Sequence, residues 1–105
     1  MRSLCLAAAL LLPVLPAAAQ TIRGVGARPC ADWLQARKGG GRDFEAEQWA
    51  LGYLSAVNVA QRGSGLFHGL DAGGIFAGID SYCGGHPGDM LWNAVKAVTP
   101  ASRGA

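Results

Sequence analysis

The sequence predicts an all-α fold, a small four-helix domain joined by one disulfide. Apolar residues recur at helical spacing in four segments, and no stretch of convincing length alternates as a strand would. Residues that begin or end helices bound these segments, mainly aspartate or proline before and glycine after. Two cysteines, Cys30 and Cys83, fall in the first and third segments. The chain has 105 residues, and the part after its first 19 residues has the size of a single domain.

The first 19 residues have the pattern of a cleaved signal peptide. Arg2 supplies a positive start, Leu4 to Pro16 form an apolar run, and Ala17-Ala18-Ala19 match a small-residue cleavage site. The apolar run is interrupted by proline and is too short to span a bilayer. Cys5 precedes most of this run rather than following it, unlike a lipoprotein cysteine, so we expect it to leave with the signal peptide. We therefore expect a soluble, periplasmic or secreted protein that begins at Gln20 and has no membrane segment.

The two remaining cysteines are predicted to form a structural disulfide. A single domain of residues 20–105, ordered over about residues 30–98, is small enough to need a covalent constraint. Cys30 and Cys83 are an even pair in an oxidising compartment, and bridging them stabilises the chain by about 4 kcal/mol in the loop-entropy model. A free or catalytic thiol is the alternative, although a redox pair usually has C-x-x-C spacing. Two cysteines alone make a poor zinc site, so no metal is expected.

The first two helices are predicted on either side of three consecutive glycines. A short helix, Cys30–Lys38, turns Cys30 toward the core together with Trp33. A longer helix begins after Asp43, a favourable N-cap, and is expected to run from about Phe44 to Arg62, where Arg-Gly-Ser-Gly ends it. We expect the chain to be organised around this central helix.

One face of the central helix is predicted to pack inward. Its members recur three and four residues apart, and they are Trp49, Gly52, Tyr53, Ala56, Val57 and Ala60. Leu51 and Leu54 flank this face, so the helix is apolar over most of its circumference and is expected to have partners on several sides. Gly52 weakens a helix by about 1 kcal/mol relative to alanine. Either this glycine is merely tolerated, or with Ala56 it lets another backbone approach closely.

The third and fourth helices are predicted around a proline junction. The third begins after Asp71 and covers Ala72–Gly84. Its inward residues are expected to be Ile75, Ile79, Tyr82 and Cys83, with Phe76 beside them. Pro87 is placed as the first residue of the fourth helix, Pro87–Val98. The side chains of that helix expected to face the core are Leu91, Ala94, Val95 and Val98, and Met90 and Trp92 are expected at the edges of this inward face.

No pattern in the sequence indicates an enzyme, a metal site or a cofactor. His68 and His86 have no histidine four residues away, and the sequence contains no nucleophile motif and no nucleotide-binding glycine loop. A hydrolase is one alternative, and it would rest only on His68, His86 and Asp80. His68 is interpreted as a solvent-facing loop residue, and Asp80 as an exposed acid on the polar side of its helix. The other acids are interpreted as helix caps and first-turn charges, namely Asp43, Glu45, Glu47, Asp71 and Asp89.

The charges argue against a nucleic-acid partner. The chain carries nine Lys and Arg and seven Asp and Glu, so its formal net charge is only +2. Arg37, Lys38 and Arg42 bracket Gly39-Gly40-Gly41 as a small basic loop, which is too small for a nucleic-acid footprint and is interpreted as solvated. The expected partner is another protein, bound through an apolar face near Trp49, Tyr53 or Trp92.

Three local patterns together resemble a known family of small periplasmic proteins. They are Cys30-x-x-Trp33-Leu34, Trp49-x-x-Gly52-Tyr53-Leu54-Ser55 and Tyr82-Cys83-x-x-His86-Pro87-x-x-x-Leu91. In this combination the chain is similar, over about residues 30–98, to the family that includes the HdeA and HdeB acid-stress chaperones. It is also similar to immunity proteins of type VI secretion amidase effectors, which carry a Gly-Tyr segment and a cysteine near a proline.

The resemblance implies a helical, disulfide-bonded domain without catalytic residues. For the chaperone family it implies a dimer at neutral pH that opens in acid and shields unfolding client proteins with its apolar surface. The expected function is thus a non-enzymatic, exported, HdeA/HdeB-like protein-binding domain with a stress-related role. Its expected binding face includes Trp49, Tyr53 and Trp92. The alternative is an immunity or inhibitor protein that neutralises a periplasmic effector enzyme.

Overall fold

The computed structural model describes residues 21–61, 65 and 69–98 of this chain. Within these ranges the chain forms four α-helices and no strand, which confirms the predicted fold class. The helices are α1 (Cys30–Arg37), α2 (Phe44–Ala60), α3 (Ala72–Gly85) and α4 (Leu91–Ala97). A 3₁₀ turn, Gly24–Ala27, precedes α1, and a second, Lys38–Gly40, follows it.

Several predicted features lie outside the described residues. They are the signal peptide of residues 1–19 with Cys5, the start at Gln20, the helix stop at residues 62–64, His68 and the chain from residue 99 onward. In the described part of the chain, no helix has both the length and the apolar character needed to cross a membrane.

The predicted disulfide joins α1 to α3. The sulfur atoms of Cys30 and Cys83 are bonded, and their Cα atoms lie 5.1 Å apart, which is an ordinary separation for a disulfide. Both cysteines are fully buried. The prediction of a structural disulfide is therefore confirmed, and the free-thiol alternative does not describe this structure.

Helix α3, rather than α2, is the centre of the packing. Its most extensive contacts are with α4 and then with α1, whereas α2 mainly contacts the first 3₁₀ turn. Gly78 lets α3 and α4 approach closely, because a Cβ at this position would lie 2.5 Å from Val98 Cγ1. The expectation that the chain is organised around α2 is wrong. The inward residues predicted for α4 are confirmed, since the core includes Leu91, Ala94, Val95 and Val98.

The buried face of α2 is also not the predicted one. Its buried residues are Ala46, Glu47, Ala50 and Leu54. Half-buried beside them are Trp49, Tyr53 and Val57, and exposed are Gly52, Ala56 and Ala60. The prediction placed the wrong edge of the helix in the core, because the period of a helix that is apolar nearly all round does not indicate which side will pack.

Helix α4 begins at Leu91, later than predicted, and Pro87 is not its first residue. The segment between them turns back onto the start of α1, where Ala31 N–H donates to the Pro87 carbonyl at 2.9 Å. Cys30 N–H donates to the Asp89 carbonyl at 2.6 Å. Helix α1 has no side-chain cap, so these carbonyls satisfy N–H groups that would otherwise lack a partner.

Two of the acids predicted as helix caps have that role. Asp43 Oδ1 accepts from the N–H of Ala46 at 3.0 Å at the start of α2, and Asp71 Oδ1 accepts from the N–H of Gly74 at 2.8 Å at the start of α3. Asp89 does not cap α4, because that helix begins at Leu91.

Candidate functional site

The structure brings together two of the predicted binding residues, Trp49 and Tyr53. Their rings stack with centroids 5.6 Å apart and planes 8° from parallel. The Trp49 indole N–H donates to the carbonyl of Arg23 at 3.1 Å. Its ring lies so close to Gly26 that a Cβ there would come within 2.2 Å of it. These half-buried aromatics therefore attach the first 3₁₀ turn to α2, and only their outer edges can contact a partner.

The third predicted residue, Trp92, lies on α4 and is half-buried. The Lys96 ammonium lies 3.6 Å from the centre of its ring, a cation–π contact. Among the described residues, no ring contact or hydrogen bond joins Trp92 to Trp49 or Tyr53. The Trp92 indole Nε1 is buried, and no described residue accepts a hydrogen bond from it; leaving such a donor unpaired costs about 1–3 kcal/mol.

An apolar surface of α2 faces outward instead. From Gln48 to its last residue, Ala60, the helix contains no charged residue. Val59 is 74% exposed, and smaller residues are exposed beside it at helical spacing. A Cβ at position 52 would meet nothing within 4 Å in the described chain, so the close approach that this glycine permits is not used there. We call this surface the outer α2 face, made of Gly52, Ser55, Ala56 and Val59.

Glu47 is a buried acid, although the sequence indicated only a first-turn charge. Its carboxylate is 1% exposed and accepts from Arg42 Nη2 at 2.5 Å and Arg42 Nε at 3.1 Å. The hydrogen bond from Arg42 lowers the pKa of Glu47 below its ordinary value, although burial acts in the opposite direction. The Arg42 guanidinium also lies over the exposed ring of Phe44, 4.1 Å from its centre.

Asp80 is half-buried and joins α3 to α1, so the prediction of an exposed acid is wrong. Trp33 Nε1 donates to Oδ1 at 2.7 Å, and Arg37 donates through Nε at 2.9 Å and Nη2 at 2.7 Å. Burial raises the pKa of Asp80, but the hydrogen bonds from Arg37 and Trp33 outweigh it and hold that pKa below its ordinary value. Arg37 also lies over the Trp33 ring, 5.1 Å from its centre.

The sequence did contain a signal for this contact. Trp33 follows Cys30 by three residues, and Asp80 precedes Cys83 by three residues. Residues three apart lie on one helical face, so a disulfide between the two helices places Trp33 and Asp80 near each other.

A cleft of about 570 Å³ lies between the end of α1 and the turn formed by Gly39, Gly40 and Gly41, which we call the glycine turn. Its charged lining residues are Arg37, Lys38, Arg42 and Asp80, and Leu34 adds an apolar wall. The sequence interpretation of a solvated basic loop did not predict this cleft. It could not, because the cleft forms only where α1, the glycine turn and α3 come together.

A separate polar cluster holds the junction between α3 and α4. The Tyr82 hydroxyl donates to Asp89 Oδ2 at 2.5 Å, and this bond raises the pKa of Tyr82. The His86 ring stacks on the Tyr82 ring with centroids 4.2 Å apart, and its Nδ1 lies 2.9 Å from the Tyr82 carbonyl oxygen. No group of three His, Cys, Asp or Glu residues in the described ranges is placed to hold a metal ion.

Comparisons with protein-family models, with curated proteins and with solved structures found no match for this chain. The similarity to the HdeA/HdeB-like family therefore stays a prediction that rests on the three local patterns.

Proposed function

We propose that this chain is a non-enzymatic, exported protein-binding domain that holds unfolding protein chains under stress, as the HdeA/HdeB-like family does. The observation that carries this proposal is the outer α2 face, an exposed helix surface without a charged side chain. The buried disulfide supports export, because such bonds persist in oxidising compartments.

The outer α2 face is unusual for its lack of charge rather than for any single apolar residue. Exposed apolar side chains such as Val59 are ordinary on protein surfaces. Helices of globular domains, however, normally present charged residues on the side away from the core. A surface without charges can contact the apolar side chains of an unfolding client without removing ions from water, which favours protein binding at this position.

The two paired carboxylates support a role in acid stress. Glu47 at the start of α2 and Asp80 on α3 are both held in the ionised form by arginine. Protonation in acid weakens both pairs, whereas the Cys30–Cys83 disulfide does not titrate. Acid would therefore loosen the packing around α1 and α2 while the chain stays covalently closed, which would expose more apolar surface to a client.

The test is an aggregation assay with the oxidised protein and an aggregation-prone client, at neutral pH and in acid below the carboxyl pKa range. We expect the protein to keep the client in solution, and we expect Val59→Lys to abolish this protection. Lysine is chosen because it keeps its charge at both pH values. Circular dichroism and size-exclusion chromatography of each variant check folding and oligomeric state, including the homodimer that the family resemblance implies.

The matched control is Gln35→Lys, which adds the same charge to an exposed position on α1, a different helix from the one that carries the outer α2 face. It should leave protection unchanged. A wild-type protein that protects no client at either pH overturns the proposal, and so does equal loss of protection in both lysine variants.

An immunity or inhibitor role is the second candidate, and the cleft beside the glycine turn favours it. A rigid cleft lined by fixed arginines suits one dedicated partner better than a range of unfolding clients. Specific binding to one periplasmic effector enzyme, with loss of that enzyme's activity, would support this role over client holding.

A further inference from the structure

Two arginines in the cleft are held in the same way. Each guanidinium uses Nε and Nη2 to bind a carboxylate, Arg37 on Asp80 and Arg42 on Glu47. Each also lies over an aromatic ring, Arg37 over Trp33 and Arg42 over a phenylalanine. The Nη1 atoms have no hydrogen bond to a described residue. Both groups are therefore positioned before any ligand arrives, and binding to them requires little further ordering.

Lys38 lies between these arginines in the sequence and adds a third cation to the cleft. It makes no ion pair or hydrogen bond to a side chain of the described residues. The hydrogen bond to Asp80 raises the pKa of Arg37 above its ordinary value, while the nearby positive charge of Arg42 acts in the opposite direction, so the two arginines lie close enough to repel each other. Asp80, which lines the cleft, and Glu47, which binds Arg42 but is not part of that lining, balance two of these three cations. One positive charge stays uncompensated, and an entering anion would neutralise it.

The glycine turn gives the cleft its shape. Gly39 and Gly40 have φ values of 63° and 79°, a region that other residues rarely adopt. Gly41 lies against α1, because a Cβ there would be 2.3 Å from the carbonyl oxygen of Ala36. The turn therefore folds back tightly, and it holds Lys38 and Arg42 at the two sides of one opening.

We propose that this cleft binds the carboxylate groups of an acidic segment on the partner protein. The apolar neighbours of the cations, Leu34 and the 61% exposed ring of Phe44, suit a peptide better than an isolated small anion. This inference rests on the proposed protein-binding function, which supplies the peptide. It adds that at neutral pH, where carboxylates are ionised, the partner is recognised by negative charge at a site other than the outer α2 face.

The experiment measures binding of a fluorescently labelled oligoglutamate peptide by anisotropy at neutral pH and low ionic strength, with oligoglutamine as the uncharged peptide. We expect oligoglutamate to bind more tightly. Lys38→Gln should weaken it by up to about fivefold, as loss of one exposed charge pair does. Gly40→Ala, which strains the turn without changing any charge, should also weaken it.

The matched control is Arg23→Gln, which removes the same charge from an exposed position outside the cleft. It should change the affinity by less than about twofold, because distant exposed charges are screened. Equal weakening by Lys38→Gln and Arg23→Gln would mean general charge attraction and would overturn the proposal. Displacement of the peptide by inorganic phosphate, at concentrations where acetate has no effect, would overturn it in favour of a phosphoryl site.

The same variants separate this inference from the proposed function. If the wild-type protein protects no client but binds oligoglutamate through Lys38, client holding fails and the acidic-segment site stands. If client protection depends on Val59 but oligoglutamate does not bind, the acidic-segment site is wrong and the proposed function stands.

Discussion

Helices α1 and α3 are held together by covalent and polar contacts, whereas the second half of α2 is held by few buried contacts. Helices α1 and α3 share a buried disulfide, and the side chain of Asp80 bridges them through three hydrogen bonds. In α2, by contrast, Leu54 is the last fully buried residue, and Val59 is mostly exposed. The helix continues to Ala60 through residues that are half-buried or exposed.

This difference connects stability with function. Local unfolding starts where few apolar contacts are buried, and surfaces that bind partners are often taken from such regions. Helices α1 and α3 fix the geometry of the cleft beside the glycine turn. The second half of α2 presents an uncharged face whose substitution should change the free energy of unfolding only slightly. We therefore expect substitutions in the two regions to separate stability from binding.

The largest expected effect comes from removing the disulfide. Cys30→Ser with Cys83→Ser should lower the free energy of unfolding by about 4 kcal/mol, because the unfolded chain loses a long closed loop. Urea unfolding followed by circular dichroism measures this. If the double variant is as stable as the oxidised protein, packing alone holds α1 against α3. The disulfide would then not account for the difference between these helices and the second half of α2.

Next in size is a pair of truncations within α2. Leu54→Ala removes a side chain that is 1% exposed, and it should cost about 2–5 kcal/mol. Val59→Ala, on the exposed side of the same helix, should change the free energy of unfolding by less than about 0.5 kcal/mol. Urea unfolding of both variants provides the measurement. Similar losses for the two would show that the outer α2 face is packed against something, such as a second chain.

Local signals in the sequence predicted much of the fold. Asp43 and Asp71 start α2 and α3 because each has a carboxylate oxygen that can accept from an N–H three residues later, a contact within one segment. The disulfide was predicted from the even number of cysteines left after the expected signal peptide and from the oxidising compartment that such a peptide implies. These features need no knowledge of how the helices pack.

The candidate site was harder to predict, because its contacts join distant segments. Asp80 meets Trp33 and Arg37 across more than forty residues of sequence, so its environment depends on how α1 and α3 dock. Glu47 is an N-terminal acid by position, and only the packing of α2 shows that it is buried. The buried side of α2 was misplaced for the same reason: a helix that is apolar on most sides is oriented by its neighbours.

A smaller effect is expected from the paired carboxylates, and it depends on pH. Both pKa values are lowered in the folded chain, so the stability they contribute is present above about pH 4, the unfolded range, and is lost as the pH falls through the lowered values. Asp80→Asn and Glu47→Gln should each cost about 1–3 kcal/mol at neutral pH. Their stabilities should converge with that of the wild-type protein in acid.

Urea unfolding over a pH series measures this convergence. The control is Asp32→Asn, which changes an exposed acid on α1 and should alter the stability much less. The contrary outcome is that the free energies of unfolding of the Asp80 and Glu47 variants stay below that of the wild-type protein by a constant amount down to acid pH. In that case these carboxylates are not the groups that loosen the domain, and the acid-stress part of the proposed function loses its support.

The smallest expected effect is a gain, and it decides between two interpretations of Gly52. Gly52→Ala should stabilise the chain by up to about 1 kcal/mol, because alanine favours a helix and its Cβ meets no described atom within 4 Å. Gly26→Ala is the contrasting variant, since its Cβ would meet the Trp49 ring at 2.2 Å and should destabilise the chain. Thermal unfolding at several protein concentrations measures both. The contrary result is that Gly52→Ala lowers the unfolding temperature and removes its dependence on protein concentration, which is the sign of a lost dimer. That result would mean that a second chain packs against the outer α2 face at Gly52, so that the glycine is needed for assembly.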